Sequence, residues 1–386
     1  MKTISVLGVT GSVGINTFKL LKHYKNKFRV ECITAYSNYK SLAKIADILN
    51  PRFVVIGNKN LMYKLKDKLV NKKIKVLFGE EGIIEAVKCK TDITINAIVG
   101  IAGLKPTYEA IKYTKVLGIA NKESIIGGGK ILLNRATKYS TKIIPLDSEH
   151  NAIFQILDKE NIKNIRSITL TASGGPFWRK KNNFFKNITL KDALNHPNWK
   201  MGKKITIDSA TMMNKFLETI EASILFGIEL NKIKILIEPN SFVHGIIDYI
   251  DGTSFLITSK PDMRIAINYA LQWPNRSELN FANLNFSKST INFFSPDKKK
   301  FPVLKLKDKI IKNKYYECML VVINSANEIA VNAFISGKIG FLDINNVVQK
   351  TLKLYNHRYI NSLKDIIEVD NLSRVLANSI INQKGK

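Results

Sequence analysis

Cysteine is scarce in this 386-residue chain: Cys32, Cys89 and Cys318 stand far apart and without paired spacing. That argues against a disulfide framework or a thiolate metal site and fits a protein of the reducing cytoplasm. No apolar run reaches the length needed to cross a bilayer, so an integral membrane protein is not expected. The first predicted strand begins almost at Met1, so no signal or transit peptide is expected. Acidic residues are also few, 31 against 60 Lys and Arg, for a formal net charge of +29. Such an excess ordinarily raises nucleic acid as a partner. Here the lysines are spread along the whole chain, as at Lys142, Lys180-Lys181, Lys203-Lys204 and Lys298-Lys299-Lys300. No basic stretch carries the interleaved aromatics of a base-stacking platform. Lys, Asn and Ile together are what an AT-rich genome drifts toward, which is the plainer reading of the excess. No specific nucleic-acid partner is therefore expected, and nonspecific attraction to polyanions stays open. There is no internal repeat and no low-complexity segment.

The length allows two or three domains with real cores, and hydrophobic residues at 45% are ordinary for a globular protein. Strand-like segments at 3–8, 29–36, 53–57, 75–78, 93–99, 116–120 and 142–146 alternate with amphipathic stretches at 13–24, 39–49, 60–70 and 106–114. This alternation predicts an α/β domain over 1–147 with a Rossmann-like, doubly wound parallel sheet. Residues 148–276 read as a central α+β catalytic domain, with strands at 167–171, 233–238, 243–250 and 254–259. The last two join at Asp251-Gly252, a hairpin signal. Residues 277–302 have weak periodicity and read as a connecting arm. Helical patterns at 304–312, 317–336, 344–355 and 372–382 predict a small helical domain over 303–386.

Several strand ends carry chemistry. Asp147-Ser148-Glu149 follows the apolar run 143–146, and on extended backbone its two carboxylates point the same way. Like charges that close repel unless a cation sits between them, and a hard divalent ion meets that need. Further on, in Asp208-Ser-Ala-Thr-Met-Met-Asn-Lys-Phe-Leu-Glu218, a helix from about Asn214 would bring Asn214, Lys215 and Glu218 onto one face. Either cluster alone reads more readily as a solvated surface; both together, in a chain that opens with a phosphate-binding loop, favour a site. Gly8-Val9-Thr10-Gly11-Ser12-Val13-Gly14 passes from a strand into a helix, as a pyrophosphate-binding turn does, although its spacing is G-x-x-G-x-x-G. Asn121-Lys122-Glu123 borders the same sheet edge. Thr171-Ala-Ser173-Gly174-Gly175 offers backbone amides and a hydroxyl to an anion, or is simply a tight turn. His196-Pro197-Asn198-Trp199-Lys200-Met201-Gly202 follows a polar, aromatic stretch. A Trp there reads as part of a flexible lid, about 177–202, that excludes water from a ligand. His196 and His244 lack metal-ligand spacing to each other, and His150 reads as structural.

Taken together these segments resemble the 1-deoxy-D-xylulose-5-phosphate reductoisomerase family. The resemblance is carried by 8–14, Ala97-Ile-Val-Gly-Ile-Ala-Gly103, 120–124, Leu146-Asp-Ser-Glu-His-Asn-Ala-Ile-Phe-Gln155, 173–177, 196–199, 201–202, 208–215, Trp273-Pro-Asn-Arg276 and Asn324-Ser-Ala-Asn-Glu328. It spans essentially the whole chain. It implies an NADPH-dependent enzyme of the non-mevalonate isoprenoid pathway that uses Mg²⁺ or Mn²⁺, with Co²⁺ also possible, and acts as a homodimer. The substrate is 1-deoxy-D-xylulose 5-phosphate, whose carbon skeleton is rearranged and then reduced to 2-C-methyl-D-erythritol 4-phosphate.

By position, the resemblance implies metal ligands at Asp147, Glu149 and Glu218. It implies substrate contacts at Lys122, Ser148, Glu149, Ser173, His196, Ser209, Asn214, Lys215 and Glu218. Cofactor contacts fall on Thr10, Gly11, Ser12, Val13, Asn38, Asn121, Glu123 and Gly202. Glu149, Lys122, His196 and Trp199 take the chemical roles, the last two from the lid. Two departures stand out. Tyr36-Ser37-Asn38 ends the second strand where the family has small residues and often a basic one, which bears on the preference for NADPH over NADH. Phe216 replaces a small residue between Lys215 and Glu218. The rival readings are another NAD(P)-dependent oxidoreductase that leaves the carbon skeleton intact, which would not need both acidic motifs, and a polyanion-binding protein, which would need its lysines on one surface.

Overall fold

The computed structural model of the chain describes residues 1–24, 26–71, 73–199, 201–279 and 284–384; Lys200 of the predicted lid and residues 280–283 of the predicted arm lie outside them. The chain forms two compact units. One comprises Met1–Ser124, Leu132–Asn151 and Asp262–Phe281; the other comprises Ile125–Ile131, Ala152–Pro261 and Ala282–Lys386.

The first unit is built on a seven-stranded sheet. Its strands are β1 Lys2–Leu7, β2 Phe28–Ala35, β3 Phe53–Ile56, β4 Lys75–Phe78, β5 Thr91–Asn96, β6 Thr114–Ile119 and β7 Lys142–Pro145, and each falls on a segment expected from the sequence. Every pairing is parallel, in the order β4-β3-β2-β1-β5-β6-β7. Ile4, Val6, Leu7, Val54, Val55, Ile56 and Ile95 are fully buried. Covering both faces of a parallel sheet demands this, and it is why these strands read as nearly continuous apolar runs. Helices α1 Ser12–His23, α2 Tyr39–Leu49, α3 Met62–Lys68, α4 Gly79–Val87, α5 Leu104–Ile111 and α6 Lys122–Lys138 make the connections, and α7 Ser148–Ile156 follows β7. Strand order reverses between β1 and β5. Ligands of such sheets sit outside the strands' carboxyl ends at that reversal.

The second unit holds a four-stranded mixed sheet in the order β11-β10-β8-β9, from β8 Ile165–Ala172, β9 Ile233–Ile237, β10 Val243–Tyr249 and β11 Ser254–Thr258. The hairpin expected at Asp251-Gly252 joins β10 to β11, with Gly252 at φ +90°. Helices α8 Leu190–Leu194, α9 Lys203–Ala210 and α10 Met213–Phe226 lie between β8 and β9 in sequence. Next comes α11 Met263–Gln272, which belongs to the first unit. There the Tyr24 hydroxyl donates to Asn268 Oδ1 at 2.8 Å. The second unit resumes with α12 Leu306–Ile310, α13 Tyr316–Ile335, α14 Phe341–Leu354 and α15 Leu363–Lys384. Of the predicted arm, Phe294 pairs with Ile237 at the end of β9.

Three expectations change. By length and composition α13 could cross a bilayer, contrary to the reading that no run is long enough; 83% of its most apolar window is buried, which makes it a core helix. The last helix begins at Leu363, well before the predicted 372. The predicted lid narrows, because its first part is packed. Phe177 stacks on Phe185 and Phe341 at 6.0 and 5.4 Å between ring centres, and Phe185 stacks on Phe301 at 5.8 Å. Lysines and asparagines between these aromatics hid a small core whose other rings lie far along the chain.

Candidate active site

In the first unit the predicted cofactor loop turns from β1 into α1. Gly8 has φ +82°, and a Cβ there would lie 2.7 Å from the Ala97 carbonyl oxygen. At Gly14 a Cβ would run into the Gly8 carbonyl itself. These two glycines let helix and strand close on each other. Gly11 differs: it precedes α1 with ordinary backbone angles, and its added Cβ would meet nothing nearer than 3.4 Å. The amides of Ser12, Val13 and Gly14 open the helix without intrahelical acceptors, which suits an anion. Gly14→Ala is therefore expected to cost about 1–3 kcal/mol of stability through overpacking. Gly11→Ala should leave the melting temperature unchanged and weaken dinucleotide binding. Melting curves and a binding titration separate the two effects.

Asn38 accepts from the Ser41 amide at 3.2 Å and caps α2. The neighbouring Tyr36 is 76% exposed, and its ring lies so close over Gly57 that a Cβ there would sit 2.7 Å from it. Asn121 is buried, and its side chain accepts from the Ser124 amide at 2.7 Å and donates to the carbonyls of Gly100, at 2.8 Å, and Ile98. It clamps the loop after β5 to the start of α6, and Glu123 is buried beside it in the first turn.

Asp147 ends the loop after β7, and its carbonyl accepts the first bond of α7 from Asn151 at 2.8 Å. Ser148 and Glu149 are thus in a helical first turn rather than on extended backbone as expected. A helix start, not strand alternation, aims these carboxylates, and the positive end of the helix favours them there. Lys122 Nζ lies 2.6 Å from Asp147 Oδ2, with both side chains largely buried. The Ser148 hydroxyl donates to Glu149 Oε2 at 2.5 Å.

In the second unit the helix expected from about Asn214 runs Met213–Phe226. Glu218 accepts from the Asn214 side-chain Nδ2 through one oxygen and pairs with Lys215 through the other. Lys215 and Glu218 are buried, so each charge depends on the other. At about 100° per residue Phe216 points away from this face. It is fully buried in the core, which is how the helix holds a bulky residue without disturbing the three polar ones.

Ser173 follows β8, and its hydroxyl accepts from the Gly175 amide at 3.2 Å. His196 Nε2 lies 3.0 Å from Ser173 Oγ and 3.1 Å from Ser209 Oγ, at the end of α9. Nδ1 accepts from the amides of Asn198 and Trp199, at 3.2 and 3.0 Å, so it carries no proton. The hydrogen-bond network therefore assigns a neutral imidazole with its hydrogen on Nε2, aimed at the serines. A serine that accepts this hydrogen has its own O–H free for a ligand. Burial pushes His196 down to about 4. Since the unfolded chain would take up this proton near 6.5, stability is fully present above that pH and falls as pH drops toward 4. Melting temperatures over this range should slope less in His196→Asn than in the unaltered chain. Gly202 is exposed and caps α9 in extended conformation.

Sequence reasoning missed the seat of this segment. The Asn198 amide group donates to the Pro239 carbonyl at 2.6 Å and to Ser241 Oγ at 2.9 Å. Ser241 holds φ +55°, and the turn around it is tied by buried Glu238, which accepts from the amides of Asn240, Phe242 and Val243 at 3.0, 2.6 and 3.3 Å. An acidic residue closing a strand was the available signal. The structure thus joins Lys122 to Asp147, Ser148 to Glu149, Ser173 and Ser209 to His196, and Asn214 and Lys215 to Glu218, while Trp199 reaches His196 through its backbone.

Comparison with known proteins accounts for both units. Residues 4–129 match the family model 1-deoxy-D-xylulose 5-phosphate reductoisomerase, residues 143–226 its C-terminal domain model, and residues 258–376 the model called DXP reductoisomerase C-terminal domain. The reductoisomerase of Ehrlichia canis (strain Jake) is 47% identical over 99% of this chain and 100% of its own length. That of Wolbachia pipientis subsp. Culex pipiens (strain wPip) is 46% identical over 100% of this chain and 99% of its own. Among solved structures, the enzyme from Zymomonas mobilis in complex with NADPH superposes with a TM-score of 0.91 at 40% identity, covering 98% of this chain and 99% of that one. A DOX-P reductoisomerase in complex with NADPH, fosmidomycin and magnesium gives 0.92 at 34% identity, covering 99% of this chain and 98% of that one. With three family models along its length and relatives matched end to end, the chain belongs to the 1-deoxy-D-xylulose 5-phosphate reductoisomerase family.

Proposed function

We propose a division of labour among the residues of this reductoisomerase. The chain rearranges 1-deoxy-D-xylulose 5-phosphate and reduces it to 2-C-methyl-D-erythritol 4-phosphate, with NADPH and a divalent metal ion. The rearrangement keeps the composition, and the aldehyde it yields takes a hydride from NADPH and a proton. A non-rearranging oxidoreductase is not favoured.

Asp147, Glu149 and Glu218 are assigned as the metal ligands. Their hard oxygen donors suit Mg²⁺ or Mn²⁺, and each is already held in place by a neighbouring donor, Lys122, Ser148 or Lys215. When bound, such a cation polarises carbonyl and hydroxyl oxygens of the substrate. Lys122 adds a fixed positive charge beside Asp147, and Glu149 shares the substrate with it. Ser173, Ser209, Asn214 and Lys215 hold the phosphate, with Ser148 completing the polar contacts. His196 stays neutral and orients the two serine hydroxyls. Trp199, on the segment seated by Asn198, covers the substrate and excludes water.

Thr10, Gly11, Ser12 and Val13 take the pyrophosphate, and Asn38, Asn121, Glu123 and Gly202 complete the dinucleotide contacts. In domain terms, residues 1–147 bind NADPH and add Lys122 and Asp147 to the site, 148–276 carry the other metal and substrate groups together with Gly202, 277–302 connect, and 303–386 support. Edge strand β11 carries Phe255 and Leu256, both about half exposed, next to Ile250. An apolar edge of this kind is what a second copy would cover, so the working form is a homodimer. The three free cysteines and the bacterial relatives support a cytoplasmic location.

The observation that carries this reading is the face of α10 on which Asn214, Lys215 and Glu218 meet. Incubating the purified protein with 1-deoxy-D-xylulose 5-phosphate, NADPH and Mg²⁺ or Mn²⁺ should consume the reduced nicotinamide absorbance and yield the branched product. Product formation without added metal in the presence of a chelator would refute the metal assignment.

A further inference from the structure

The motif Asn324-Ser-Ala-Asn-Glu328 lies in the middle of α13 and has no role in the assignments above. Its Asn327 is fully buried and donates to Asp208 Oδ1 at 2.8 Å, while Lys204 Nζ holds the other oxygen of Asp208 at 2.9 Å. Asp208 is itself only 1% exposed. One oxygen is thus held from α9 itself and the other from the far-off helix α13. We propose that Asn327 is a positioning residue for the phosphate-binding turn, fixing through Asp208 where Ser209, Asn214 and Lys215 stand.

The connection from Asp208 to those residues is short and stiff. Ser209 is the next residue. The Asp208 carbonyl accepts from Thr211 Oγ1 at 3.2 Å, and that oxygen accepts from the Met213 amide at 3.3 Å, where α10 begins. Met212 between them holds φ +61°. On the other side, a Cβ at Gly175 would lie 2.8 Å from the Ser209 carbonyl oxygen, so the end of α9 is pressed against the turn that carries Ser173. Little slack remains to absorb a shift of Asp208.

The anchoring helix is rigid as well. Ser325 donates to Asp370 on α15 at 2.6 Å, and Arg374 donates to Asp370 at 2.7 Å and to Glu328 at 2.5 Å. A site built on elements locked in this way keeps its geometry, and loosening a support costs ligand affinity before it costs chemistry. The C-terminal helices thereby set how well the enzyme holds its substrate's phosphate. This inference rests on the assignment of Ser209, Asn214 and Lys215 to that phosphate.

The test uses the full chain and two readouts: steady-state kinetics and calorimetric titration with inorganic phosphate. Asn327→Ala should raise KM for the substrate and the phosphate dissociation constant by about tenfold or more, as for a lost buried charge-assisted hydrogen bond. Meanwhile kcat should change far less, and NADPH binding should not change. The exchange Asp208→Asn with Asn327→Asp restores one donor and one acceptor and should recover most of the phosphate affinity. A folded Asn327→Ala with KM and phosphate affinity within twofold of the unaltered protein overturns the proposal, as does a folded double variant without recovery. If Asn327→Ala does not fold, Asn327→Ser is held to the same criteria. Lys215→Ala run alongside separates the two levels. If it too leaves phosphate binding intact, the phosphate assignment fails; if it alone abolishes binding, only the role of Asn327 fails.

Discussion

Glu218→Gln is expected to cut turnover by about a hundredfold or more, because the charge stabilisation a metal ion supplies is a several-kcal/mol effect. The substitution keeps the shape of the side chain and its hydrogen bond with Asn214 but removes the negative charge. Two consequences follow and can be measured apart. Metal affinity should fall, seen as a higher Mg²⁺ requirement in kinetics and weaker Mn²⁺ binding in titration. Stability should fall too, because Lys215 is buried against Glu218 and would lose its counter-charge. Breaking one side of such a pair typically costs about 3–5 kcal/mol. Asp147→Asn and Glu149→Gln should share the metal effect. Normal turnover of Glu218→Gln at limiting metal would remove Glu218 from the ligand set.

Lys215→Ala should raise KM for 1-deoxy-D-xylulose 5-phosphate by roughly 10- to 100-fold, the equivalent of about 1.5–3 kcal/mol for a desolvated charge-assisted contact. Its side chain is buried in the first turn of α10, where the helix's positive end adds to the attraction for an anion. The variant also leaves the buried Glu218 carboxylate without its cation, so stability should fall as it does in Glu218→Gln. NADPH affinity should stay as it was. A variant that binds substrate and inorganic phosphate normally would place the phosphate on other residues.

Much of the first unit was legible in the sequence. Its central strands are short, largely apolar runs, covered on both faces and bounded by turns, and that pattern survives any change of surface composition, while edge strand β4 has no buried residue. The polar face of α10 was legible too, because helical spacing alone brings Asn214, Lys215 and Glu218 together. Helix α6 was not. It runs through Gly127-Gly128-Gly129, which propensity alone would break, and Gly129 is tolerated since a Cβ there would lie 2.9 Å from Ile224. Asp147-Ser148-Glu149 was read as extended because the apolar run before it outweighed a helix-start signal, an Asp followed by an acidic residue in the first turn; the hydrogen bond from the Asn151 amide to the Asp147 carbonyl fixes the start of α7.

The sequence by itself determined the family, the parallel sheet and the identity of the acidic and glycine-rich motifs, all of which depend on residue type and on spacings of a few positions. Only the tertiary structure decided which side chains hold those motifs in place. Glu238 ties the turn that seats Asn198, Asn327 reaches Asp208 from a helix more than a hundred residues away, and Phe177 finds Phe341 among intervening lysines and asparagines. Local patterns report which face of an element is buried. Partners across long loops are selected by packing and by the cost of leaving a buried polar group unpaired, and neither has a period along the chain.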